Sequence, residues 1–379
     1  MPVTLRQFLW SCGILAVLGV VGGALWVWSG LYNVSASREH LDPTTQILDL
    51  VRRQSVETWS SGTKAPPLDD PGLVRLGAAH FELACAPCHG APGRAPSALQ
   101  AVMLPQPPDL GGTVTDWTSE ELHWIVLNGQ KYTGMPSWPS IDREEEVWPV
   151  VAFLQELPGM DAAAYADLAG LSGGSPSPGD ITGFSIDGAG SGGRLAVCAR
   201  CHGDDGASPA GDLVPDLTGQ TQGYLARALR EYRDGTRASG IMQVAAATLT
   251  DEEIAQLSAH FARPAPAPAS PAPRDADPAA LARGRVLAEE GRADRTVPAC
   301  LACHDAAARA DFPRLAGLSA RYIEQQLHVL KANTRGRSAF AAIMTPIASR
   351  LEGDEIRDVA AYLESLPADY RRPMAEAAR

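Results

Sequence analysis

Three times the chain repeats one five-residue stretch: Cys85-Ala-Pro-Cys88-His89, Cys198-Ala-Arg-Cys201-His202 and Cys300-Leu-Ala-Cys303-His304. On a helix, residues i, i+3 and i+4 share one face, so each stretch presents two thiols and an imidazole together. This is the pattern for covalent attachment of a c-type haem: both thiols meet vinyl groups on one porphyrin edge while the histidine reaches iron. Three covalently bound c-type haems are therefore expected. A single C-x-x-C can also be half a zinc site or a redox pair. Zinc would need a second ligand pair close by, which none of the three segments offers. A thioredoxin-like pair would need an α/β setting, and strand-like alternation is scarce. Of seven cysteines, six belong to the stretches and only Cys12 is left over, so no pair remains for a disulfide.

The second iron ligand follows from the same logic. Met135 lies 46 residues after His89, while Met242 and Met344 each lie 40 residues after His202 and His304. A lone methionine is usually core filler; three at matching offsets point to ligands. Met103 follows its motif too closely to cross to the other haem face, and Met374 lies beyond the last expected helix. His123, His260 and His328 sit in helical segments as competitors and are read as surface or core histidines. His/Met ligation raises the haem potential and closes the sixth position, which suits electron transfer rather than substrate binding at iron.

With these residues in view, each repeat resembles a class I cytochrome c. Pro215-Asp-Leu-Thr-Gly219 with Tyr224, and Pro313-Arg-Leu-Ala-Gly317 with Tyr322, are similar to the paired domains of dihaem cytochromes of the c4 type. Gly134-Met135-Pro136-Ser137-Trp138 resembles membrane-bound monohaem cytochromes. Asp305 departs from the family in replacing the glycine that commonly follows the histidine, and glycines shorten the helix before Cys198. The resemblance implies an all-α fold: one N-terminal transmembrane helix followed by three class I cytochrome c domains. It also implies that Pro108, Pro215 and Pro313 lend carbonyls to the ligand histidines; a plain turn proline is the alternative. The bacterial periplasm follows too, because c-type haem is attached outside the cytoplasm.

From Phe8 to Val34 no residue is charged. That exceeds the ~20 apolar residues a bilayer span needs and the ~7–15 of a secretory h-region. A retained single-pass anchor in the bacterial inner membrane is expected, with Arg6 on the inside; cleavage after Val34-Ser35-Ala36 is the competing reading. The expected organisation is a tail and anchor over 1–34, a stalk over 35–70 and cytochrome c domains over 71–160, 191–263 and 278–370. A Gly/Ser/Pro linker over 161–190 and a stiffer Pro/Ala linker over 264–277 separate them. Within the stalk, Ile47, Leu50, Val51 and Val56 suggest an amphipathic helix carrying Arg52 and Arg53, lying either on the membrane boundary or in solvent. Thr118-x-x-Glu121 and Thr250-x-x-Glu253 read as capping boxes. Asp142-x-x-Glu145 and Asp354 are expected to open the closing helices of the first and third repeats. Tyr132 and Trp138 flank Met135, either at the haem crevice or in simple core packing.

A formal charge of −12 argues against nucleic acid as a partner. The run Glu144-Glu145-Glu146 is read as a solvated helix start, or as a patch steering a basic redox partner. Taken together, the sequence and its resemblance imply a membrane-tethered electron carrier rather than an enzyme. Its expected partners are redox proteins: a quinol-oxidising complex or soluble cytochrome as donor and a terminal haem-copper oxidase as acceptor. The alternative is the cytochrome subunit of a membrane-bound alcohol or sugar dehydrogenase. Peroxidase activity would require an open iron.

Overall fold

The computed structural model describes residues 4–94, 97–171, 191–262, 277–305 and 309–371. The Gly/Ser/Pro and Pro/Ala runs lie largely outside these residues, as does Met374. Among the described residues the chain is helical, and β pairing is confined to isolated bridges.

Helix α1, Leu5–Ser29, opens with a capping box between Thr4 and Gln7 and ends at Gly30 in the left-handed region. Its 25 residues span about 37 Å at ~1.5 Å per residue, none is buried, and it is long and apolar enough to cross a membrane. Helix α2, Asp42–Ser60, is the amphipathic segment. It buries Val56 and Ser60 and sets the guanidiniums of Arg52 and Arg53 over the Trp117 ring at 5.0 and 5.3 Å. One face of this helix thus packs on the first haem-motif unit, while Ile47, Leu50 and Val51 stay exposed.

That unit contains α3 (Pro71–Ala84), α4 (Ala86–His89), α5 (Ala98–Val102), α6 (Leu110–Thr113), α7 (Ser119–Asn128), α8 (Trp148–Glu156) and α9 (Ala162–Leu168). Helices α3 and α8 cross at Gly77, where a Cβ would fall 1.9 Å from the Pro149 carbonyl oxygen. Thr118 and Glu121 cap α7 as expected. The Asp142-x-x-Glu145 opening does not form. Instead Arg143 takes the Glu145 carboxylate at 2.6 Å, and α8 follows a 3-10 turn over Glu144–Val147. Helix α9 occupies part of the stretch assigned by composition to a linker; Tyr165 is buried there and donates its hydroxyl to Glu82 at 2.6 Å.

The second unit comprises α10 (Ser191–His202), α11 (Gln222–Arg233), α12 (Gly240–Ala246) and α13 (Asp251–Phe261), the last capped by Thr250 and Glu253. The third comprises α14 (Pro278–Glu289), α15 (Leu301–His304), α16 (Ala320–Lys331), α17 (Ala341–Ser349) and α18 (Gly353–Glu364). Helices α14 and α18 cross at Gly284, 2.0 Å from the Asp358 carbonyl oxygen by the same measure. Glu352 stands at the N-cap of α18, its N–H donating to the Glu355 carboxylate at 2.9 Å, and Asp354, within the first turn, accepts from the Glu355 N–H at 3.0 Å.

The units pack against one another. Leu76 of the first forms a small buried cluster with Ala210 and Val214 of the second. Between the second and third, the Gln220 side-chain amide both donates to the Arg314 carbonyl (2.8 Å) and accepts from the Arg314 N–H (3.0 Å).

Candidate haem sites

Two clefts open in the second and third units. The first is lined by Cys198, Cys201, His202 and Met242, the second by Cys300, Cys303, His304 and Met344. Residues 40 positions apart in sequence are thus brought to one wall-bounded space, otherwise mainly apolar. Met242 is carried on α12 and Met344 on α17, both half-buried.

Each motif histidine has its Nδ1 within hydrogen-bond distance of one carbonyl oxygen: His89 with Pro108 (3.1 Å), His202 with Pro215 (3.1 Å) and His304 with Pro313 (2.7 Å). A carbonyl only accepts, so Nδ1 must carry the proton and Nε2 is left as the lone-pair nitrogen. This is how proteins orient a metal-ligating imidazole. Burial lowers the pKa of all three rings, against the pull of the proline carbonyls, so they are neutral near pH 7. Burial likewise pushes the Cys85 and Cys201 thiols up to about 12, and Cys198 and Cys300 up to about 11. Among the described residues no three His, Cys, Asp or Glu side chains gather as a metal-binding group.

The first unit differs. Met135 sits in the loop between α7 and the 3-10 turn, half-buried, its carbonyl accepting from the Gln130 N–H at 3.2 Å. The Met103 methyl lies beside it, 2.3 Å from where a Cβ on Gly134 would stand. Spacing in sequence set Met103 aside; the fold brings its methyl next to the residue preceding Met135. Tyr132 is 82% exposed, whereas Trp138 is 5% exposed and belongs to the core.

None of the competing histidines lines either cleft. His123 is buried against Trp148 with Nε2 at 2.9 Å from the Glu144 carbonyl, His260 reaches the Asp204 carbonyl at 2.7 Å, and His328 is exposed. The acidic run is not a solvated helix start throughout: Glu146 is 7% exposed and pairs with the buried Arg143 at 2.7 Å.

Sequence reasoning passed over three residues that line the clefts. His80, from the first unit, faces the second unit's cleft; burial pushes its pKa down to about 4, and its Nδ1 has no hydrogen-bond partner. Arg237 lines both clefts and Arg335 the third unit's, and neither has an ion-pair partner among the described residues. Burial and the neighbouring Arg237 charge lower the Arg335 pKa. Two sunken guanidiniums lacking carboxylates fit a group that brings its own, as haem does with its propionates. Nothing in the local sequence marks these residues, because their significance lies in what other segments bring beside them.

Helical units that each carry C-x-x-C-H, with the histidine tethered to a proline carbonyl, define a multi-domain c-type cytochrome. Residues 72–154 match the family described as cytochrome c oxidase, cbb3-type, subunit III, and residues 192–262 and 281–367 match the cytochrome c family. A cytochrome c4 from Pseudomonas aeruginosa is 33% identical over 177 residues, 46% of this chain and 85% of that protein. A thiosulfate dehydrogenase electron acceptor from Stutzerimonas stutzeri is 37% identical over 174 residues, 45% of this chain and 79% of that protein. The crystal structure of reduced recombinant cytochrome c4 from Pseudomonas stutzeri is 30% identical, covering 46% of this chain and 96% of that one with a TM-score of 0.42. The chain belongs to the cytochrome c family, with an apolar N-terminal helix, a cbb3 subunit III-like domain and two domains resembling dihaem cytochrome c4. It is an electron-transfer protein.

Proposed function

We propose that the protein is a membrane-tethered trihaem cytochrome that relays single electrons on the periplasmic side of the bacterial inner membrane. In this reading Cys85 and Cys88, Cys198 and Cys201, and Cys300 and Cys303 fasten three haems. His89 and Met135, His202 and Met242, and His304 and Met344 take the iron positions. Helix α1 stays as the anchor. Haem supplies a one-electron couple whose potential His/Met ligation raises; the chain's own residues hold it, orient the imidazoles and keep water out.

The observation that carries the reading is that the second and third clefts share walls: Pro215, Leu217, Tyr224, Arg237, Tyr322 and Gln326 line both. Two redox groups held by common side chains sit close enough to exchange electrons without leaving the molecule. The acceptor we favour is a terminal haem-copper oxidase, supported by the likeness of residues 72–154 to a cbb3-type oxidase subunit. A second reading makes the chain the electron-accepting subunit of a dehydrogenase, favoured by its likeness to the electron acceptor of a thiosulfate dehydrogenase.

Purification from native membranes in mild detergent tests the partner. Co-purification of an oxidase supports the first reading, and a dehydrogenase large subunit supports the second. A pyridine haemochrome assay on the same material should give three haems per chain; a lower count removes the trihaem assignment.

A further inference from the structure

We propose that each domain holds the distal methionine segment of the domain that follows it, so that methionine ligation of the second and third haems depends on contacts made across domain boundaries. The inference rests on the reading of Met242 and Met344 as iron ligands.

At the first boundary the segment leaving the Met135 loop lies on the start of α12. The Glu146 carboxylate accepts from the Gly240 N–H at 2.6 Å, while Ser239 of the second domain accepts from the Met242 N–H at 3.2 Å. The free donors that open this helix are thus divided between its own domain and the neighbour. Arg143 pairs with Glu146 at 2.7 Å and donates to the Ala238 carbonyl at 2.5 Å. The Trp138 indole covers Gly240 so closely that a Cβ there would fall 2.0 Å from Nε1. Helix α12 has seven residues, too few to hold itself in water, and Met242 is the third of them.

The second boundary repeats the device with different residues. Glu231, 8% exposed, pairs with Arg227 at 3.0 Å and accepts from the Ala339 N–H at 2.9 Å, just ahead of α17 and Met344. The Arg227 guanidinium lies 4.7 Å over the ring of Phe340, the residue that precedes α17. Twice, then, a buried arginine-paired glutamate reaches across a boundary to a backbone N–H on a methionine segment. A buried ion pair by itself adds little stability over apolar packing. Satisfying one particular backbone donor on the next domain is what apolar packing cannot do.

The test uses the full-length holoprotein and reads methionine displacement by cyanide, together with the long-wavelength methionine–iron charge-transfer band. Cyanide enters only when methionine leaves, so its rate reports how firmly the segment is held. Glu146→Ala should speed cyanide binding roughly tenfold at one haem of the three, leaving the other two phases unchanged. Glu146→Gln, whose amide oxygen still accepts from Gly240, should restore most of the wild-type rate. Gly240→Ala, which acts from the opposite side of the contact, should reproduce the fast phase if Glu146→Ala fails to accumulate. Glu231→Ala should accelerate a different single phase. Unchanged cyanide kinetics in folded Glu146→Ala and Gly240→Ala proteins would overturn the proposal. Met242→Leu separates the two levels: it should remove one third of the band, and a full band would sink the ligand assignment and the clamp with it.

Discussion

The second and third domains match the same family, yet they are closed in different ways. In the third, α14 and α18 cross at Gly284 in near backbone contact, and a cluster that includes Leu287, Leu301, Ile356, Val359 and Leu363 lies behind the haem motif. In the second, a Cβ added at Gly193 of the first helix would meet nothing within 4 Å. Its cleft is completed by neighbours: Leu76, His80 and Pro149 from the first domain, Tyr322, Gln325 and Gln326 from the third. Small domains bury too little apolar surface to stand comfortably alone. The third domain adds a tight helix crossing to the walls it takes from the second, whereas the second takes walls from both of its neighbours.

The largest effect expected from this contrast is at Leu76, 5% exposed between the two domains. Leu76→Ala should cost about 2–5 kcal/mol. Denaturant titration should show the second domain's haem environment lost early while the third's is unaffected; simultaneous loss would erase the contrast. Next comes a pair of glycine substitutions with opposite signs. Gly284→Ala should cost about 1–3 kcal/mol by overpacking the crossing, and thermal melting of the third domain reads it. Gly193→Ala, at an exposed position where an added Cβ would meet nothing within 4 Å, should instead stabilise by about 0.5–1 kcal/mol. If both destabilise, the Gly193 position is packed after all.

The smallest effect is confined to acid. Burial alone would raise the Glu82 carboxyl, but hydrogen bonds from Arg94 and Tyr165 override it and hold the pKa below the ordinary 4.5. A group whose folded pKa is depressed stabilises above its unfolded value and loses that contribution as pH falls through the folded one. The first domain should therefore weaken below about pH 4.5 by a component that Glu82→Gln lacks. Parallel acid melting curves for wild type and variant would remove it.

Features set by neighbours in sequence were legible in it. The i, i+3, i+4 haem motifs, the capping boxes at Thr118 and Thr250 and the amphipathic α2 follow from helix geometry alone. The proline partners of the histidines came from the family resemblance, and the fold makes all three contacts. Where reading failed, a distant group had taken over a local one. Glu145 does not cap the closing helix of the first domain because Arg143 holds its carboxylate. Glu146 is not solvated because Gly240 and Arg143 claim it.

By itself the sequence determined an all-α chain with an apolar N-terminal helix, three haem-attachment motifs and a methionine downstream of each, because such features depend on period and offset within one segment. The tertiary structure decided which domain closes which cleft, that His80 and Trp138 serve a neighbouring domain, and that Arg237 and Arg335 come together at the third domain's cleft. Those outcomes depend on burial, and burial is set by segments far apart in the chain whose mutual placement no local pattern encodes.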